Sequence, residues 1–214
     1  MNAEEHLEAL SDIRNMMERS SRFVSLNGLA GVFVGLFALA GAWGAYMYLG
    51  MQGGSDAYYE YARTANGDAN LSFYEFFFAD AISVLVLSVL VSTLMTLCKA
   101  RKAGQTVWGP TAKRLFLNMM IPLMSGGVFC LIMVYHNTAA MVAPAMLIFY
   151  GLALVNASKY TFDDVRHLGL IEIVLGLLAA VYIRHGLLFW SLGFGVMHII
   201  YGIVMYYKYE AKKG

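Results

Sequence analysis

Charged side chains are few in this chain. They make up 14% of its 214 residues, against 59% hydrophobic, where a soluble domain carries about 25% charged and about 45–50% apolar residues. So little charge cannot clothe a water-facing surface at this length, which excludes an ordinary soluble domain and points to lipid. Cysteine is nearly missing: Cys98 and Cys130 both lie inside apolar stretches, and neither a disulfide nor a CxxC metal or redox motif is expected. No HExxH, GxSxG, P-loop or dinucleotide fingerprint occurs. No cofactor is therefore expected, and an enzyme is the less favoured class. A cleavable signal is also wanting. The first apolar run starts at Phe23, behind a charged leader, and is too long for an h-region.

What is present is a series of long apolar runs. A helix needs about 20 such residues to cross a ~30 Å hydrocarbon core. Six stretches fit: 23–48, 76–98, 115–135, 139–157, 168–182 and 187–207. The expected fold is all-α, a six-helix transmembrane domain over 23–207 with a cytoplasmic amphipathic leader at 1–22 and a tail at 208–214. Basic residues give the orientation. Thirteen of the 15 Lys and Arg fall on one side: Arg14, Arg19 and Arg22; Lys99, Arg101, Lys102, Lys113 and Arg114; Lys159 and Arg166; Lys208, Lys212 and Lys213. Only Arg63 and Arg184 fall in the alternate loops. Both ends are thus expected in the cytoplasm. The basic stretch 99–114 is a topology determinant, and no nucleic-acid partner is expected.

The outward loop over 49–74 is acidic and Tyr-rich, with turn signals at Gly53-Gly54 and Asn66-Gly67-Asp68. The other two outward connections, at His136-Asn137 and Arg184-His185-Gly186, are short enough to make antiparallel hairpins. In the leader, Asn2 and Glu5 have capping-box spacing, and Leu7, Leu10, Ile13 and Met17 share a face. It reads as a surface extension or, more sharply, as a docking helix for a cytoplasmic partner.

Small residues form two stripes: Asn27, Gly31, Gly35, Ala38 and Ala42 in the first helix, and Ser191, Gly195, His198 and Gly202 in the last. Gly176 follows Glu172 at i+4 in the fifth. Such stripes let backbones approach in lipid, within one chain or between copies of a homo-oligomer. Gly28-Leu29, Val32, Gly35-Leu36 and Ala38 also match Gly169-Leu170, Ile173, Gly176-Leu177 and Ala179, a similarity that apolar helices reach by chance.

Ionisable groups inside spans cost roughly 2.5–3.5 kcal/mol at mid-bilayer and so face protein or water. Glu172 is expected about one turn into the fifth helix from the cytoplasm, either bonded to a neighbour or to Arg166 or Lys159, or lining a hydrated path. His198 is expected near the middle of the sixth helix, as a neutral bridge or a proton carrier. Contact between them is permitted by the hairpin but not required, since their depths differ. Asp80 and Glu75 are placed near the outward surface, where they could cap the second helix. His136, His185 and Glu75 are weak candidates for an outer metal site, without supporting spacing. Pro122 and Pro144 interrupt the third and fourth helices.

The stretch Ile13 to Phe23 leading into a Gly-rich helix, and the ending Gly186 to Trp190 through His198 to Tyr206-Tyr207, resemble a family of bacterial multi-pass inner-membrane proteins of unassigned activity. The resemblance implies a bacterial inner-membrane location and no catalytic residues. The leading expectation is a non-enzymatic regulator, sensor or assembly component working through helix contacts in the lipid bilayer. A small-solute or proton-coupled transporter using Glu172 and His198 comes second. A membrane-embedded enzyme with an outer His/carboxylate site comes third.

Overall fold

Low charge and long apolar runs leave the backbone one way to satisfy its polar groups in lipid, the α-helix. The computed structural model describes residues 27–51, 58–102 and 108–211, and the regular elements among them are all helical. These are α1 (Gly28–Met51), α2 (Leu71–Lys102), α3 (Pro110–Tyr135), α4 (Val142–Ala157), α5 (Asp164–Val181), the short α6 (Gly186–Trp190) and α7 (His198–Tyr209). A π-helical segment, Ser191–Met197, joins α6 to α7, so the chain from Ile183 to Tyr209 runs as one column. The leader over 1–22 lies outside the described residues, as do 23–26 of the first expected span and 212–214 of the tail.

Among the described residues, five stretches are long and apolar enough to cross a membrane: Gly28–Gly50, Leu71–Lys102, Pro110–Tyr135, Ala139–Tyr160 and Ile183–Tyr209. The fifth expected span is a helix too, but α5 is not among these five. Its 18 residues include Asp164, Arg166 and Glu172, more charge than a lipid-facing window of that length tolerates. It is tolerated here because α5 is clasped along its length by α4. Gly151 and Gly169 meet there, and a Cβ on Gly169 would stand 2.7 Å from the Gly151 carbonyl oxygen.

The glycine stripe of α1 faces the last column. A Cβ on Gly35 would lie 2.5 Å from the Gly195 carbonyl oxygen, and one on Gly31 would lie 3.2 Å from Gly202 Cα. Gly176 packs on α4, where a Cβ would meet Ile148 at 2.7 Å. Four columns therefore form the packed centre: α1, α4, α5 and α6–α7. α2 packs along α1 and α3 along α4, while α2 and α3 do not pack along each other.

The loop between α1 and α2 is shorter than the expected 49–74. α2 begins at Leu71 rather than at 76, because Asn70 caps it, accepting from the Phe73 N–H at 3.3 Å. Tyr48 stacks on Phe76 at 4.2 Å and fastens the second turn of α2 to the end of α1. Before it, Arg63 bridges Ala69 around Gly67, whose φ of +87° a Cβ would disfavour. α3 likewise begins earlier, with Pro110 in its first turn. Pro144 sits in the first turn of α4, where no helical hydrogen bond is lost, so only Pro122 is interior to a helix.

Candidate functional site

Glu172 lies eight residues beyond Asp164, about 12 Å along α5 at 1.5 Å per residue. It is thus mid-helix, not one turn from the start of the helix. The earlier start of α5 accounts for the difference: residues 164–167 add a full turn of charged helix that an apolar window leaves out. The same turn carries Arg166 away from Glu172, and both Arg166 and Lys159 are exposed. Glu172 itself is 0% exposed, and neither carboxyl oxygen has a hydrogen-bond partner.

Across from it the π segment makes room. A Cβ on Gly193 would overlap the Glu172 carboxyl and lie 2.5 Å from Leu147 Cδ2. One turn on, His198 opens α7 and is buried. Its Nδ1 is 3.0 Å from the Gly193 carbonyl oxygen and 3.5 Å from Glu172 Oε1. Its Nε2 is 2.7 Å from the Tyr150 hydroxyl of α4. Tyr150 also packs on Phe194 at 4.9 Å, which holds its ring. Three helix columns thus converge on one chain of polar groups: Glu172, His198 and Tyr150.

The hydrogen bonding fixes the imidazole. A carbonyl oxygen can only accept, so Nδ1 carries a hydrogen. With the ring neutral, Nε2 then accepts from the Tyr150 O–H. Turned slightly, the Nδ1–H can be offered to Glu172 in place of Gly193. With that tautomer, one further proton on the pair sits either on the Glu172 carboxyl, giving a neutral pair, or on His198 Nε2, giving an ion pair.

Tyr150 and His198 also line a cleft of about 220 Å³. It lies toward the end of the molecule where α1 begins and α7 ends. Its walls are α1 (Gly31, Val34), α4 and α7, flanked at the side by Ser92 and Thr96 of α2 and Leu115 and Met119 of α3. Glu172 does not line it, so His198 and Tyr150 stand between the carboxyl and the cleft.

The remaining expected sites stay apart. Asp80 lies further along its helix than the expected start at 76 gave. With α2 starting at Leu71 it is two and a half turns in, its carboxyl oxygens 3.2 Å from where a Cβ of Gly41 would stand. The cap of α2 is Asn70, not Asp80 or Glu75. His136 ends α3 with its ring against Tyr135 at 5.2 Å, and His185, Glu75 and His136 are all exposed. Among the described residues no three His, Cys, Asp or Glu side chains gather to hold a metal ion.

Two residues of the site were missed in the sequence, Tyr150 and Gly193. Tyr150 carried a usable signal: a tyrosine mid-span, away from the interfacial belts, needs a partner for its hydroxyl. Gly193 carried one only in retrospect, since the stripe at 191, 195, 198 and 202 assumes an unbroken α-helix, and the π segment turns Gly193 inward instead.

Comparison with protein-family models, with curated proteins and with solved structures found no match to this chain. The likeness of its two ends to bacterial inner-membrane proteins thus assigns no family, and function rests on the site.

Proposed function

We propose that this chain is a small-solute carrier of a bacterial inner membrane, with both ends cytoplasmic, that binds a proton at Glu172–His198 during its cycle. The observation that carries this reading is the Glu172 carboxyl, fully buried, without a hydrogen bond, and 3.5 Å from His198. A regulator or assembly component working only through helix contacts accounts for the glycine faces. It does not account for a carboxyl and an imidazole kept at mid-span, where each costs roughly 2.5–3.5 kcal/mol on insertion scales and an apolar residue of like size would pack at no such cost. A group that must take up and release a proton does account for them.

The orientation is supported by the alternation of basic residues and by how the helix ends cluster. Lys99 at the end of α2 is 3.1 Å from Glu210, which accepts from the Gly28 N–H at the start of α1. Lys208 is 2.9 Å from Asp164 at the start of α5. At the opposite end Arg184 is 3.9 Å from Glu60 of the outward loop. A reporter fused after Gly214 is expected to read as cytoplasmic, and an external signal would overturn the orientation.

For the proton itself, infrared titration of purified protein is expected to show a carboxyl band that vanishes in Glu172→Gln and whose midpoint moves in His198→Gln. In proteoliposomes under an imposed potassium-diffusion potential, proton entry is expected to be faster with wild type than with Glu172→Gln. Identical bands and identical flux in the variants would remove the carrier reading.

A further inference from the structure

We infer that the cleft beside Tyr150 and His198 binds a ring-sized apolar molecule bearing a single hydroxyl, a phenol or small alcohol, entering between α2 and α3. This deepens the carrier reading and rests on it for the transport step, but the binding site stands on its own geometry.

Size comes first. About 220 Å³ exceeds the ~150 Å³ apolar cavity that takes benzene and leaves room for a ring with one or two substituents. Chemistry comes second. Gly31, Val34, Leu115, Met119, Leu154 and Gly202 make most of the lining apolar, as a pocket that recognises a small molecule usually is, with few polar groups set at one place. Asn27, Ser92, Thr96, Thr161 and Tyr201 add polar groups around the lining, and Tyr150 is the one hydrogen-bonded to His198. Access comes third. α2 and α3 flank the cleft without packing along each other, and both present apolar outer surfaces, so an apolar solute reaches the gap from the acyl chains.

The hydroxyl requirement follows from the proton. With His198 neutral, Tyr150 donates to Nε2, and its oxygen lone pairs are left for a donor. A second proton on His198 makes Nε2 the donor. Tyr150 then accepts from the ring, and its O–H turns toward the cleft, where it needs an acceptor. A ligand with only an acceptor fits one state, whereas a hydroxyl fits both and remains bonded as the proton moves. The groups facing His198 are Glu172 from α5 and Tyr150 from α4. Tyr201 of α7 shares the cleft, and α1 presents Gly31, Val34 and Gly35, none of them titratable.

The test is photolabelling of the full chain in lipid nanodiscs with a diazirine-bearing phenol, mapped by mass spectrometry, with phenol, anisole and toluene as competitors. Adducts are expected at the cleft residues of α2, α3, α4 and α7. Phenol is expected to compete about threefold to tenfold better than toluene, the worth of one net hydrogen bond, with anisole between them at neutral pH. Tyr150→Phe is expected to erase the difference between phenol and toluene, and Thr96→Phe, which fills the cleft, to abolish the adducts. Labels spread over the outer surfaces of α2 and α3, or displaced by a fatty acid and not by phenol, would overturn the site. Equal competition by all three probes in wild type would overturn the hydroxyl. None of these outcomes depends on Glu172. A cleft that binds phenol in a chain whose Glu172→Gln variant titrates and conducts like wild type would keep the pocket and remove the carrier.

Discussion

Each residue of the site is held by a different kind of force, and substitutions separate them. Tyr150→Phe removes the hydroxyl 2.7 Å from His198 Nε2 but keeps the ring against Phe194. Interhelical hydrogen bonds in membrane proteins average about 0.6 kcal/mol and reach about 1.7, so a loss in that range is expected. Gly193→Ala acts differently. Its methyl group would meet both the Glu172 carboxyl and Leu147, and overpacking of this kind costs typically 1–3 kcal/mol. Each variant changes one heavy atom, and Gly193→Ala is expected to be the more damaging. Thermal unfolding in detergent checks the order, and a Gly193→Ala variant more stable than Tyr150→Phe would show that the π segment can yield.

Among the elements, the glycine faces separate close approach from mere composition. In α1, Gly35 has the Gly195 carbonyl oxygen 2.5 Å from its missing Cβ, while Gly44 has nothing within 4 Å. Gly35→Ala is expected to destabilise by about 1–3 kcal/mol. Gly44→Ala is expected to be neutral or to stabilise by up to about 1 kcal/mol through helix propensity. Thermal shifts of the two variants side by side would sink the assignment of this face if they fell together. Among the described residues, apolar run length located five membrane-length helical stretches, because in lipid length and hydropathy are the dominant constraints. The helix ends were less legible, since Asn70, Pro110 and Asp164 start α2, α3 and α5 through capping and polar first turns that an apolar window discards. That error propagated to the site: placing the start of the fifth helix at 168 set Glu172 at the wrong depth and made its meeting with His198 look incidental. The π segment was illegible, because nothing in Ser191–Met197 distinguishes it locally from an α-helix.

In the molecule as a whole the two ends are fastened by different chemistry. The end away from the cleft is closed by aromatic contacts around Phe73, Tyr48 and Phe77, with Leu49 and Ala139 buried beside them. The end near the cleft is closed by charge: Glu210 to Gly28 and Lys99, and Asp164 to Lys208 and Tyr209. Acid should therefore loosen the cleft end and leave the aromatic end alone. Asp164 gives the sign. Partial burial pushes its carboxyl up, but hydrogen bonds from Tyr209 and Lys208, with the positive charge of Lys208, outweigh this and hold it below the ordinary value of 3.8. A carboxyl depressed in the folded state adds stability that is present above its unfolded value and is lost as pH falls through the folded one. Wild type is then expected to keep its thermal stability down to about pH 4, the ordinary aspartate range, and to lose it progressively below. Asp164→Asn is expected to start lower and to lose less over the same interval. A variant whose stability falls with pH as steeply as that of wild type would show that the acid-sensitive contact lies elsewhere, with Glu210 the next carboxylate to test.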